Sequence, residues 1–196
     1  MDAGERGALF KGKMGSAVRK ALKRDLSPAQ HARLLEEGSP DVARILRERF
    51  VATQWYPVAG IEELISRPAQ MLGRDPLDYA RSLGGSVVSE AAGTVGRTVM
   101  SLFATPQRVA KHFDSIWQQA YDSGHVEGAY DEARGVLVVE RSDWAGHGPL
   151  LCMTLLGTIL AISDGMNGHR VAAATRTACI SEGAPRCRFE LRYAPK

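Results

Sequence analysis

The apolar residues of this chain follow a helical period in the first half and a two-residue period in much of the second half. Ser27 and Ser39 each precede a proline, and a serine N-cap followed by proline at the first helical position favours a helix start. Residues 126–130 and 136–140 alternate as paired strands do, residues 149–164 form an apolar helix pattern, and residues 170–193 read as a hairpin. The order, helices followed by ββαββ, predicts an α/β (α+β) fold with an antiparallel sheet packed on helices.

The helical half also contains weaker signals. Residues 54–57 introduce a predicted helix that continues to about residue 71, and a long helix follows from about residue 76 to residue 103. Glycine disfavours helix interiors, so we expect a kink or break near Gly93. A further helix is predicted over residues 107–123, with Phe113 and Trp117 on its apolar face and Gly124 after its end.

Composition excludes several classes of function. The net charge of +3 is only mildly basic, so nucleic acid is not an expected partner, and the basic residues at 19–24 are predicted to be a solvated helix face. The N-terminus lacks an apolar export signal, and the longest apolar run, 14 residues from 149 to 162, is shorter than the roughly 20 needed to span a membrane. We expect a cytoplasmic protein without a membrane span.

Nucleotide-binding, metalloprotease and hydrolase motifs are absent, which predicts a protein that is not an enzyme.

The C-terminal hairpin places two cysteines together. In an antiparallel pair, the residue numbers of opposed residues add up to the same total along the hairpin. This rule would set Ile180 opposite Arg186 and Cys179 opposite Cys187. The same register predicts that Arg176 forms an exposed cross-strand ion pair with Glu190.

These cysteines suggest a metal site. Directly opposed residues have Cβ atoms about 4.5–5.5 Å apart, and Cys152 lies near the start of the helix expected beneath Cys179 and Cys187. Zinc takes four ligands of the cysteine or histidine type, so zinc is a candidate cofactor. Three buried free thiols in the core are the alternative. The fourth ligand stays open among Glu182, His147 and His169.

A second group of residues suggests a ligand pocket. His112 and Trp117 lie on the helix before the strands, Trp144 lies in the loop after them, and Leu155 lies on the apolar helix. Such residues can line a pocket for a small hydrophobic or aromatic molecule. The alternative is that His112 is a boundary residue and that the tryptophans are ordinary core aromatics.

The second half of the chain resembles a known family. The segment from Trp117 to Gly124, the strand pair, Gly157 and above all CISEGAPRCRFEL resemble the 4-vinyl reductase type of ligand-binding domain. Such domains are similar in fold to haem nitric-oxide sensors and to small subunits of vesicle-tethering complexes. The whole chain, with FKG at residues 10–12 and WYP at residues 55–57, also resembles a paralogous family of myxobacterial proteins, from which no activity carries over.

The resemblance implies a division into an N-terminal helical segment, residues 1–74, and a 4-vinyl reductase-like ligand-binding domain, residues 75–196, in one compact unit. In aromatic-sensing relatives, three cysteines and a glutamate before the first hairpin cysteine hold zinc. Cys179 and Cys187 match, Cys152 matches approximately, and Arg176 stands about where the glutamate would be. The Tyr, Ser, Arg signature that binds haem propionates in the haem-binding relatives is absent.

From these observations we expect a ligand sensor, a homodimer that signals through a protein partner. The pocket would lie between the helix at residues 107–123 and the C-terminal ββαββ unit. The alternative is a scaffold or assembly subunit that binds proteins and no ligand. A closed apolar cavity near Trp117 and Leu155 would favour the sensor, whereas a filled core with an exposed apolar patch would favour the scaffold.

Overall fold

The computed structural model describes residues 7–103, 105–164, 166 and 168–194. Its elements in chain order are β1 (Leu9–Lys11), α1 (Gly12–Asp25), α2 (Pro28–Glu37), α3 (Pro40–Arg47), β2 (Trp55–Pro57), α4 (Ile61–Met71), α5 (Pro76–Phe103), α6 (Pro106–Gln118), β3 (His125–Asp131), β4 (Val136–Ser142), α7 (Pro149–Asp164), β5 (Val171–Ala178), a 3₁₀ turn (Ile180–Glu182) and β6 (Cys187–Tyr193). This α+β architecture confirms the predicted fold class. Within the described residues, no helix is both long and apolar enough to cross a membrane.

The helix starts follow the local chemistry that the sequence indicated. The Ser27 hydroxyl accepts from the backbone N–H of Gln30, whose side chain accepts in return from the Ser27 backbone N–H. Ser39 and Thr105 cap α3 and α6 in the same way, each accepting a backbone N–H three residues later. These side chains satisfy donors that the first turn of a helix leaves free.

The N-terminal strand was not predicted. β1 pairs antiparallel with β2, and Phe10 lies opposite Tyr56. Residues 55–57 are therefore extended, and the helix that the sequence predicts after them is α4, which begins at Ile61. The backbone N–H of Lys11 also donates to the carbonyl of Ala120 at 2.8 Å, so β1 is attached to the chain that follows α6.

Helices α5 and α7 pack against each other through glycine. A Cβ built on Gly84 would overlap the backbone carbonyl of Thr154, and one built on Gly157 would overlap that of Arg81. The two backbones therefore lie closer than side chains would allow. α5 continues through residue 93 as one helix, so a break near Gly93 is wrong, whereas a kink there stays a prediction.

The larger sheet has the order β3-β4-β6-β5, with every neighbouring pair antiparallel. Helix α6 packs on β3, and α7 packs on β5 and β6. The central strands place Leu137, Val139, Phe189 and Leu191 in the core with no exposed surface, which fixes the face of the sheet that meets the helices.

The register of the last hairpin differs from the predicted one. Two irregularities in β5 shift the pairing, so that Arg176 lies opposite Phe189 and Thr175 lies opposite Glu190. The predicted Arg176–Glu190 ion pair is therefore wrong. The Arg176 side chain is 15% exposed and pairs with Glu182 instead. Because opposed residues share a face of the sheet, this shift turns Arg176 towards the core side.

Candidate functional site

An apolar cavity of about 290 Å³ lies between α1, α5, α6 and α7. The last turn of α6, the start of β3 and the loop after β4 complete its wall. Among its described lining residues there is no histidine, cysteine or carboxylate, and Lys13 alone is charged. The cavity is thus suited to a small molecule that is mainly hydrophobic.

Three aromatic rings form one side of this cavity. Trp117 stacks on Tyr121 with ring centroids 4.1 Å apart, and Trp144 meets Trp117 edge-on at 5.1 Å. The indole N–H of Trp117 donates to the carbonyl of Ser123 at 2.7 Å, whereas the indole N–H of Trp144 is buried without a hydrogen-bond partner in the described structure. Burial raises the pKa of Tyr121 to about 12, so its phenol is neutral at physiological pH.

The structure brings together three of the four residues expected to bind a ligand. Trp117, Trp144 and Leu155 all line the cavity. His112 is exposed on α6 and lies outside the lining, because the neighbouring Phe113 occupies the buried face of that helix. Tyr121 was missed, although its position four residues after Trp117 was a signal that the two rings share a side of the chain.

A second cluster lies where the hairpin meets the start of α7. The Sγ atoms of Cys179 and Cys187 are 4.0 Å apart. The imidazole of His147 reaches both, with Nε2 at 3.7 Å from the Cys179 Sγ and Nδ1 at 3.8 Å from the Cys187 Sγ. The ligand atoms of His147, Cys179 and Cys187 all lie within 4.8 Å of one another, and the thiol of Cys152, which is also buried, interacts with both other cysteines. We call Cys152, Cys179, Cys187 and His147 the thiol–imidazole cluster.

Of the three residues left open as a fourth ligand, His147 is the one placed with the cysteines. Glu182 pairs with Arg176, and the His169 ring packs against Tyr193 at 5.8 Å. The backbone N–H of Ser181 donates to His147 Nε2 at 3.2 Å, which holds the ring against the turn. The hairpin geometry expected from the sequence is only partly right, since Cys179 follows the end of β5 and the ladder partner of Cys187 is Arg141.

Arg141 is the most unusual residue of this region, because its guanidinium is fully buried and no carboxylate is paired with it in the described structure. Its Nη2 donates to the Cys187 Sγ at 3.4 Å and contacts His147 Nδ1, while Nε and Nη1 have no described hydrogen-bond partner. The guanidinium also lies 4.8 Å from the centre of the Trp144 ring. Arginine keeps its charge in proteins, so this side chain requires a negative neighbour.

Cys187 provides such a neighbour. Hydrogen bonds from the Cys152 thiol and from the backbone N–H of Ile180, together with the charge of Arg141, hold the pKa of Cys187 well below its usual range. The pKa of Cys152 is raised because its thiol proton is shared with Cys187 and because it is buried. A thiolate is the form of cysteine that binds metals. The cluster therefore contains a ready metal-binding anion beside an imidazole.

Three members of the thiol–imidazole cluster, His147, Cys179 and Cys187, could hold a metal ion. Their donor set of sulfur and imidazole nitrogen is the one that suits zinc. Arg176 lies near the cluster, where its charge interacts with Cys179 and Cys152. An arginine cannot be a ligand, but its cation, like that of Arg141, favours deprotonated thiols.

Comparison with known proteins shows the fold. No family model matches the chain, and no curated protein sequence matches it. Among solved structures, an H-NOX protein from S. oneidensis in the Fe(II) state superposes with a TM-score of 0.72 at 13% identity, covering 95% of this chain and 97% of that one. An NMR structure of an H-NOX domain from Shewanella oneidensis in the Fe(II)CO state gives 0.70 at 14% identity, covering 95% and 99%. Unliganded Fe(II) H-NOX from K. algicida gives 0.67 at 8% identity, covering 95% and 97%.

The chain is therefore similar in fold to H-NOX domains, in which haem binds nitric oxide. This similarity supports the part of the sequence resemblance that pointed to haem nitric-oxide sensors. The 4-vinyl reductase, vesicle-tethering and myxobacterial parts of the resemblance stay predictions.

Proposed function

We propose that this chain is a non-enzymatic sensor domain that holds a small hydrophobic or aromatic molecule in the cavity between α1, α5, α6 and α7. The observation that carries the proposal is the cavity itself, about 290 Å³ in volume and walled by Trp117, Tyr121 and Trp144. Similarity to sensor domains supports the class of function. The output would pass to a protein partner, and a homodimer remains an expectation from the sequence.

Haem is the group that the fold suggests, and the residues present do not fit it. Haem iron in proteins is held by histidine, cysteine, methionine or tyrosine. All five histidines and all three cysteines of the chain lie outside the described lining. Burial raises the pKa of Tyr121 to about 12, which disfavours the tyrosinate that iron prefers, and Met14 alone is a weak ligand. We therefore propose an organic ligand instead of haem.

The scaffold alternative has less support. A scaffold would have a filled core and a large contiguous apolar patch, whereas the large apolar residues exposed in the described structure come from three parts of the chain: Val51 and Trp55 around the start of β2, Leu77 in α5 and Ile116 in α6. Ile116 lies at the edge of the cavity, where exposure is expected for a ligand entrance.

A fluorescence titration with N-phenylnaphthylamine, a neutral apolar dye, tests the proposal. Leu155→Trp should fill the cavity and abolish saturable binding. Leu160→Trp is the matched control, because Leu160 lies on the same helix but outside the cavity lining. Equal binding to both variants and to the wild type would contradict the proposed site.

We also propose that the thiol–imidazole cluster binds zinc as a structural centre. Cys179 comes from the turn between β5 and β6, His147 from the loop between β4 and α7, Cys187 from β6 and Cys152 from α7, so one ion would tie the hairpin to the helix that lines the cavity. Zinc would supply only cross-linking here, since four protein ligands leave no open position for substrate. Metal analysis of the purified protein, with Cys187→Ser as the comparison, tests this second proposal.

A further inference from the structure

We propose that the cavity selects hydrophobic molecules that carry one negatively charged group, such as a carboxylate or sulfonate, and that Lys13 binds this group. The inference rests on the proposed function, because it names the ligand class for the same cavity. In this proposal, Lys13 is the residue that makes the cavity prefer a negatively charged ligand.

The charge of the lining is the first observation. Lys13 is its only charged residue in the described structure, and no aspartate or glutamate stands there to neutralise it. The Lys13 side chain is exposed and makes no described hydrogen bond or ion pair. Its neighbour Lys11 differs, since the Lys11 ammonium donates to the Thr53 carbonyl at 3.0 Å and lies 3.7 Å from the centre of the Trp55 ring. Lys13 is therefore a free cation beside an apolar chamber.

Lys13 lies in the first turn of a helix that has no acidic side chain nearby to neutralise it. It is the second residue of α1, a helix of 14 residues whose first turn contains no acidic side chain and whose N-cap, Lys11, makes no side-chain capping bond. The N-terminus of a helix carries a partial positive charge, which favours nearby anions. The backbone N–H groups of Gly12 and Lys13 already donate to the carbonyls of Gln54 and Ala52, so the Lys13 ammonium is the group left to meet an anion.

The apolar walls of the cavity determine that the part of the ligand inside it is hydrophobic. Phe113, Leu155, Ile159 and Ile162 are buried apolar walls, so a charged group in the interior would lose its hydration without a partner. An anionic group is stable only at the rim, where it keeps contact with water and meets Lys13. The ligand is expected to lie with its hydrophobic body inwards and its charge outwards.

Two dyes that share one aromatic framework test this orientation. Anilinonaphthalene sulfonate carries a negative charge and N-phenylnaphthylamine does not. Fluorescence titrations at low salt would give the dissociation constant of each, and only binding that Leu155→Trp removes is counted as binding in the cavity.

We expect Lys13→Ala to weaken cavity binding of the sulfonate about three- to five-fold, as an exposed ion pair allows. Lys13→Glu should weaken it further, and neither variant should change binding of the neutral dye. Lys20→Ala, an exposed lysine of the same helix outside the cavity, should alter neither dye.

The two proposals fail in different ways. If the Lys13 variants change both dyes equally, or change neither, the neutral dye still binds in the cavity and only the role of Lys13 is refuted. If neither dye shows binding that Leu155→Trp removes, the proposed function is refuted, and the inference falls with it.

Discussion

Replacing Gly84 by alanine should destabilise the protein, whereas the same replacement at Gly85, the next residue of α5, should stabilise it. A Cβ at Gly84 would lie 2.8 Å from the carbonyl carbon of Thr154 and closer still to its oxygen. These are backbone atoms of α7, so they cannot move away by a side-chain rotation. The two helices would have to separate.

The expected magnitudes follow from this difference. Overpacking of a core contact costs about 1–3 kcal/mol, and the rigid backbone of Thr154 places Gly84→Ala at the upper end. At Gly85 the new Cβ would lie 3.6 Å from the Gly157 carbonyl oxygen, an ordinary contact. Alanine is favoured over glycine in a helix by about 0.8–1.0 kcal/mol, so Gly85→Ala should gain most of that amount.

Urea denaturation followed by circular dichroism would measure both changes in the free energy of unfolding. Gly157→Ala, which would overlap the Arg81 carbonyl, should resemble Gly84→Ala. The double variant should cost less than the sum of the two, because one separation of the helices relieves both contacts. Changes of the same sign and size at Gly84 and Gly85 would refute the close backbone contact between α5 and α7.

Three further predictions concern the cluster and the sheet. The double variant Cys179→Ser, Cys187→Ser should lose bound zinc in native mass spectrometry, and retention of one zinc per chain would place the metal elsewhere. Arg141→Met should weaken zinc binding about 10–100-fold in a chelator competition, because it removes the cation next to the Cys187 thiolate; unchanged affinity would exclude a role for that charge. Glu140→Gln should make stability less sensitive to acid. The pKa of Glu140 is lowered by hydrogen bonds, first from Arg188, so its contribution is complete above the unfolded pKa of about 4.3 and is lost as the pH falls through the lower folded pKa. Parallel acid-unfolding curves for wild type and variant would contradict this assignment.

Local signals in the sequence predicted much of the fold. Serine–proline pairs marked the starts of α2 and α3, and the change of period marked the ββαββ unit, because capping and alternation act over a few residues. The glycines of α5 misled the prediction at residue 93. Their cost in helix propensity is small compared with the packing of α5 on α7, and that packing requires glycine at residue 84.

The sites were predicted less completely, since they depend on contacts between distant segments. Cys179 and Cys187 share one hairpin, so their proximity was readable from spacing, whereas Arg141 enters the cluster from β4. Arg176 could not be placed, because an irregularity in β5 reverses the face on which it lies. Lys13 joins the cavity only through the packing of α1 against α5, which no local pattern encodes.

Native mass spectrometry of the protein purified from cells supplied with iron and a haem precursor tests the central proposal most directly. Wild type and Leu155→Trp would be measured side by side after addition of N-phenylnaphthylamine. We expect one dye molecule per wild-type chain, none on Leu155→Trp, and no stoichiometric haem on either. One haem per wild-type chain that Leu155→Trp loses would show that the cavity is a haem pocket and would contradict the proposal.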